Sequence, residues 1–358
     1  MNGIAFIDEY LNIGFTPINL LNRWTSRVKT FMELYTKTNL SKNYKIITPI
    51  SCKIQDLLLA HSKKYIDYVR KMGEKGTGYL DYGDTPAYKD VFDKARLACG
   101  GTVILAKIII NGKLKIGFNP QGGFHHAKKD AASGFCVFND IAIAAKIFYN
   151  NGIKKIAIID IDGHHGDGTQ QILYSERILK ISFHKYDPPW FYPGTGNIYE
   201  LGECEGYGYS VNIPLPDGAG DDLFIYALEK VITPLLYYYK PEIIIGQMGV
   251  DAHIGDPLVG LRLTSASYER FIELVSEISS KFSYGRFLGT GGGGYVPETT
   301  ARMWSLMLHK LVKNEDIVKK LKDKDEYTIS DAYKITKFKK EITHLAEKLS
   351  EIHGINFS

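Results

Sequence analysis

The run Asp160-Ile161-Asp162-Gly163-His164 sets two carboxylates and an imidazole at alternate positions as the apolar stretch Ile156–Ile161 ends. In extended chain, residues two apart point to the same side. Such a group makes poor core, because buried charge without a partner is costly. It makes a good metal site, since Asp oxygen and His nitrogen both ligate Zn²⁺. A catalytic site of this kind takes a third protein ligand and keeps one position open. Candidates follow a second apolar run, EIIIGQM, in Gly249-Val250-Asp251-Ala252-His253-Ile254-Gly255-Asp256-Pro257, where Asp251, His253 and Asp256 are all eligible. After LKIGF comes Gly122-Gly123-Phe124-His125-His126. Adjacent histidines suit acid–base work beside a metal, each with a carboxylate to fix its tautomer, and Asp160 and Asp167 are available. A fourth segment, Gly289-Thr290-Gly291-Gly292-Gly293-Gly294-Tyr295, spends four consecutive glycines on one loop. That entropy cost needs an offset, such as a loop bent around a substrate with a tyrosine placed to donate to an oxyanion. It is not a dinucleotide fingerprint, because the following helix and the acidic residue some 20 positions on are missing.

These groups sit just after short β-branched runs, and the runs alternate with helical patterns. Strands are expected at Ile4–Ile7, Lys115–Phe118, Ile156–Ile161, Leu179–Phe183, Tyr209–Ile213, Ile243–Gln247 and Phe287–Gly289. Helices are expected at Ile54–Lys71, Val91–Ile110, Asp140–Asn150, Asp221–Tyr239, Ser265–Phe282, Thr299–Leu311 and Thr336–Ile352, with Pro234 able to kink the fourth. The alternation implies an α/β fold, a mainly parallel sheet with helices on both faces. In such sheets ligands bind beyond the carboxyl ends of the strands, which is where the four groups stand.

The 358 residues are long enough for one large domain or two, and the absence of a linker between the motifs favours one. A net charge of +4 and no recognisable module argue against nucleic-acid binding. Cys52, Cys99, Cys136 and Cys204 form no CxxC pair. No apolar run reaches membrane-spanning length, and the opening residues lack a signal-peptide pattern, so the expected setting is cytoplasmic. The lysine-rich stretch Lys310–Lys324 reads as a solvated helix face.

The segments GGFHHAKKDAASGFCVFND, DIDGHHGDGTQQ, SFHKYDPPWFYPGTGN, DAHIGDPLVGLRLT and GTGGGGY, in that order, resemble the histone deacetylase superfamily. The nearest branch is that of the prokaryotic AcuC-like and class I-like enzymes. The resemblance runs over about residues 4–310, leaving a helical extension over 311–358 of one deacetylase domain. It implies the arginase/deacetylase fold, with a sheet of eight strands, and a zinc-dependent amidohydrolase that removes acetyl or other acyl groups from lysine. It also implies roles. Asp162, His164 and Asp256 become the metal ligands, with Asp256 chosen for its GDP context. His126 becomes the proton shuttle paired with Asp167, and His125 its partner paired with Asp160. Tyr295 polarises the carbonyl. Phe135 and Tyr192 wall an acyl-lysine tunnel, Gly134 lets its backbone come close, and Asp84 holds substrate at the rim. Fe²⁺ is an alternative to Zn²⁺. A structural K⁺ would sit at Asp160, Asp162, His164, Ser182 and Phe183.

Two departures bear on substrate. FTPINLLNRW replaces the family's usual His-Pro near the tunnel mouth, and NPQGGFHHA stands where acetylpolyamine hydrolases carry RPPGHHA. The second favours an acetylated protein or peptide over a small acetylated amine. Rival readings are another hydrolase on this fold, such as an acetylpolyamine hydrolase or a binuclear arginase-like enzyme, and a non-catalytic acyl-lysine binder.

Overall fold

The structure is a computed structural model that describes residues 1–324 and 327–357. Eight strands form one sheet: β1 (Asn2–Ala5), β2 (Tyr44–Ile47), β3 (Ile116–Asn119), β4 (Ile156–Asp160), β5 (Leu179–Lys185), β6 (Ser210–Leu215), β7 (Ile243–Gln247) and β8 (Phe287–Thr290). The order is β2-β1-β3-β8-β7-β4-β5-β6, and every pairing is parallel. This is the arrangement of the arginase/deacetylase fold.

The helices are α1 (Ile18–Lys37), α2 (Ile54–Leu57), α3 (Lys63–Lys75), α4 (Val91–Ile110), α5 (Asp140–Asn150), α6 (Asp167–Ile172), α7 (Asp221–Ala227), α8 (Thr233–Tyr239), α9 (Ser265–Phe282), α10 (Pro297–Leu311), α11 (Glu315–Leu321) and α12 (Ala332–His353). Side-chain caps start several of them: Asn139 takes the Ala142 amide, Thr264 that of Ala266 and Asp331 that of Lys334. The period of two along the strands sorts the core into two layers. Ile156, Ile158, Ile243 and Ile245 pack on one face of the sheet, with α4 and α5. Ala157, Ile159 and Ile244 pack on the other, with α9 and α10. Phe338, Ile342, Leu345 and Leu349 bring α12 into that second layer.

Several expected elements differ. The expected helix Ile54–Lys71 is two helices, broken at the turn where Ser62 accepts the Tyr65 amide and starts α3. Asp221–Tyr239 is interrupted by a π turn over Leu228–Ile232, which lets Pro234 fall in the first turn of α8, where its missing N–H is no loss. α1 and β2 were not anticipated. Lys310 is not solvated: its ammonium lies 2.9 Å from Glu269, 2.9 Å from Glu273 and 3.1 Å from Glu315. No helix among the described residues is long and apolar enough to cross a membrane.

The strand order decides where the chemistry can be. β3, β8, β7 and β4 are consecutive neighbours although their sequence positions span residues 116 to 290. Their carboxyl ends lead into the four segments singled out by residue type.

Candidate active site

Those four loops close around a pocket of about 310 Å³. His125, His126, Asp162, His164, Tyr295, Gly134, Phe135, Tyr192 and Asp84 all line it. Asp160 and Asp167 stand directly behind, as partners of the two imidazoles.

The metal-type group forms at the end of β4. Asp160 and Asp162 each accept the amide two residues on, at 3.1 Å and 3.0 Å, which folds the chain back so that both carboxylates face inward. One ligand atom from each of Asp162, His164 and Asp251 lies within 4.8 Å of the others. His164 Nδ1 is 2.8 Å from Asp251 Oδ2 and 3.2 Å from Asp162 Oδ1. The remaining carboxylate oxygens are held by neutral donors. Asp162 Oδ2 accepts Gln247 Nε2 and the Gly293 amide, and Asp251 Oδ1 accepts the Gly163 amide.

Asp256, the third ligand that the resemblance implies, is not one of these three residues. Its Oδ1 accepts the Leu258 amide at 3.0 Å and its Oδ2 the Tyr295 amide at 2.7 Å. Each of its oxygens accepts one backbone amide, as each oxygen of Asp162 does, and one of these amides belongs to the residue that carries the phenol. His253, the third candidate, is directed to Asp323 at 3.0 Å.

The donor set fits a divalent cation. Burial and the neighbouring Asp162 push the Asp251 carboxyl up to about 7, so the two acids resist sharing the site as anions. A cation between them would remove that conflict, and two carboxylates with one imidazole suit Zn²⁺ or Fe²⁺. Nearby, the Ser182 hydroxyl accepts the Gly166 amide at 3.3 Å and pairs with His184.

The histidines form two parallel pairs. His125 Nδ1 is 2.7 Å from Asp160, and His126 Nδ1 is 2.6 Å from Asp167. Their rings lie 4.0 Å apart, but their electrostatics diverge. Burial opposes charge on His125, yet Asp160 and Asp162 outweigh it and push the imidazole up to about 9. Burial, then the neighbouring His125, push His126 down to about 4. Asp167, which also lies 3.0 Å from Lys128, opposes that shift but is outweighed.

The walls are aromatic. Tyr192 packs edge-on to His126 with centroids 5.0 Å apart, and its hydroxyl bonds Ser133. Phe191 stacks on His164 at 5.0 Å. Phe135 meets the Tyr295 ring at 6.3 Å. Gly134 has φ +53°, and a β-carbon there would stand 2.5 Å from His126 Cδ2, so only glycine fits. At the rim, Asp84 accepts the Thr85 hydroxyl. Burial and the adjacent Asp81 push its carboxyl up to about 7.

Sequence reasoning missed Arg27, Phe191 and Gln247. Arg27 is buried on α1, stacked 3.5 Å over Trp24, and donates to the carbonyls of Gly292 and Gly294. It thereby fixes the loop that presents Tyr295. Its signal was out of reach while α1 itself was unrecognised. Phe191 and Gln247 lie inside SFHKYDPPWFYPGTGN and EIIIGQM, where residue type and spacing assign them no role.

Comparison with known proteins defines the class. Residues 23–311 match the family described as "Histone deacetylase domain", and the chain belongs to that family, on its AcuC-like side. Among its relatives, a probable deacetylase of Archaeoglobus fulgidus is 35% identical over 304 residues, 83% of this chain and 82% of the relative. The acetoin utilization protein AcuC of Bacillus subtilis is 35% identical over 291 residues, 78% of this chain and 75% of that one. Histone deacetylase 8 of Xenopus tropicalis is 30% identical over 312 residues, 85% and 82% of the two chains. The crystal structure of the HDA15 HD domain superposes with a TM-score of 0.84 at 27% identity, covering 99% of this chain and 95% of that chain.

Proposed function

We propose that the protein is a metal-dependent deacetylase that hydrolyses acetyl-lysine in proteins or peptides, releasing acetate and the free amine. Family membership supports a deacetylase, a hydrolase of amides. The observation that carries the finer reading is the convergence on one pocket of the Asp162–His164–Asp251 group, two His–Asp pairs and Tyr295.

In this reading Asp162, His164 and Asp251 hold one divalent cation, Zn²⁺ or Fe²⁺, with Asp256 the alternative third ligand. When bound, it would supply Lewis acidity toward the amide carbonyl and a lowered pKa for water. The protein groups do the rest. Asp167 fixes the proton on His126 Nδ1, which leaves Nε2 free to take a proton from water and return one to the departing amine. His125, held charged by Asp160, supplies positive potential beside it. The Tyr295 hydroxyl donates to the oxyanion, a role worth roughly 2.7–4 kcal/mol where one such donor is removed elsewhere. Phe135 and Tyr192 clasp the lysine methylenes and exclude water, and Asp84 accepts an N–H of the substrate backbone at the rim. Asp160, Asp162, His164, Ser182 and Phe183 are the place for a structural K⁺. Residues 1–358 act as one deacetylase domain in a reducing, cytoplasmic setting suited to its unpaired cysteines.

The test is a turnover panel of acetyl-lysine peptides, longer acyl-lysines and acetylpolyamines, with metal content measured on the same sample. The reading expects highest turnover on acetyl-lysine peptides and one metal per chain. Preference for free polyamines, or two metals per chain, would contradict it.

A further inference from the structure

The loop after β7 carries a histidine-centred group that the proposed chemistry does not use. His253 is 4% exposed, and its ring stands between two partners. Nδ1 lies 2.9 Å from the Gly255 amide, which can only donate, so Nδ1 accepts and the ring proton sits on Nε2. Nε2 in turn donates to Asp323 Oδ2 at 3.0 Å. The ring also stacks on Tyr268 at 6.2 Å, and the Tyr268 hydroxyl donates to the Val250 carbonyl. The Asp256 amide donates to the His253 carbonyl at 2.8 Å. His253 therefore ties together the turn that carries both Asp251 and Asp256, whichever of the two supplies the third ligand.

Asp323 comes from outside residues 23–311, the part of the chain that matches the family. Its Oδ2 also accepts the Ser265 amide at 2.7 Å, at the start of α9, and its Oδ1 accepts Arg302 Nη2 at 2.5 Å, on α10. The Asp323 amide donates to Ser265 Oγ at 2.9 Å, and Arg302 Nη1 donates to the Leu321 carbonyl at 2.7 Å. α10 runs on directly from the Tyr295 loop. One carboxylate thus joins the β7 loop to the first turn of α9 and to the helix that follows the phenol. A second anchor lies further along the chain. Thr328 donates through amide and hydroxyl to Asp221, at 2.8 Å and 3.0 Å, and Ser330 pairs with Asp222 and the Gly220 amide. The first anchor reaches the β7 loop, and the second grips the start of α7.

We infer that Asp323 is a positioning residue for the metal-type group, acting through His253, so that the chain beyond the family-matching residues is a working part of the site. The carboxylate fixes the imidazole, the imidazole fixes the Gly255 amide, and the turn between Asp251 and Asp256 is held in one shape. The consequence for metal and turnover rests on the metal-dependent deacetylase reading; the fixed tautomer does not.

Asp323→Asn keeps the size of the side chain but offers one acceptor oxygen to three donors, His253 Nε2, the Ser265 amide and Arg302 Nη2. Ser330→Ala loosens the second anchor and is the control for general loosening of the segment. Zn²⁺ affinity is read by chelator competition, stability by melting temperature at saturating Zn²⁺, and turnover of an acetyl-lysine peptide as kcat and KM separately. Asp323→Asn should bind Zn²⁺ roughly 10–100-fold more weakly, as happens when outer partners of metal ligands are removed. Its kcat should fall with KM little changed. Ser330→Ala should melt lower with Zn²⁺ affinity unchanged. In a His253→Phe background, Asp323→Asn should add little further loss. Unchanged Zn²⁺ affinity in Asp323→Asn would overturn the inference, as would an equal loss in Ser330→Ala. A further loss of about tenfold in the His253→Phe background would overturn the route through His253. Should Asp323→Asn fail to fold, ¹⁵N spectra of the wild-type imidazoles decide: a proton on His253 Nε2 is expected, and one on Nδ1 would overturn the arrangement. Wild type that binds Zn²⁺ but leaves acetyl-lysine peptides intact would count against the deacetylase reading alone, and the affinity comparison would still decide the positioning.

Discussion

Asp251 and Asp256 are five residues apart on one loop after β7, both buried and both beside the pocket, yet they are put to different use. Asp251 gives one oxygen to the Gly163 amide and turns the other to His164 Nδ1. Asp256 gives both oxygens to amides, those of Leu258 and Tyr295. The first is grouped with two other metal-type donors, and the second holds the backbone that presents the phenol. Burial alone does not distinguish a ligand from a brace.

Removal of Asp251 should have the largest effect. Asp251→Ala takes away a proposed ligand, and a loss of about 10³-fold or more in kcat/KM is expected, since a bound cation would supply several kcal/mol of charge stabilisation. Next comes the group that Asp256 braces. Tyr295→Phe should fold, keep its metal and lose roughly 10²–10³ in kcat with KM little changed. Turnover within a few-fold of wild type would remove the phenol from the oxyanion role. Asp256→Ala should cost less, about 10–100-fold in kcat, because the loop is loosened while the phenol is still present. A Tyr295→Phe/Asp256→Ala double variant sharpens the point: its loss should fall short of the product of the two single losses, since both act through one hydroxyl.

The smallest effect is at the rim. With its carboxyl pushed up to about 7, Asp84 gains its charge as pH rises through that value, and only the charged form accepts from substrate without competing for it. KM for a peptide should therefore fall severalfold across that range, and Asp84→Asn should abolish the pH dependence at the high-KM limit. An unchanged KM profile in Asp84→Asn would take Asp84 out of substrate binding.

The same contrast shows what the sequence makes legible. DxDxH on a strand end, the paired histidines and the glycine run with its tyrosine each carry their chemistry in residue type and local spacing, and each lies where it was expected. The third ligand does not, because Asp251, His253 and Asp256 all satisfy local spacing. The GDP context points to Asp256, while the geometry groups Asp251 with Asp162 and His164. Elements follow a similar rule. β4 and β7 are buried on both faces and announce themselves as apolar runs. β2 is a four-residue edge strand with only Tyr44 fully buried, too short to show alternation. α1 begins without a side-chain cap or acidic first turn, which hid it and Arg27 with it. The four strands that hold the site became neighbours only through the sheet order, a non-local property that no window of sequence displays.

The ligand assignment is tested most directly by metal analysis of purified Asp251→Ala and Asp256→Ala beside wild type, at equal chelator challenge. The account predicts that Asp256→Ala retains one divalent metal per chain while Asp251→Ala retains little or none. Metal lost from Asp256→Ala and kept in Asp251→Ala would contradict it.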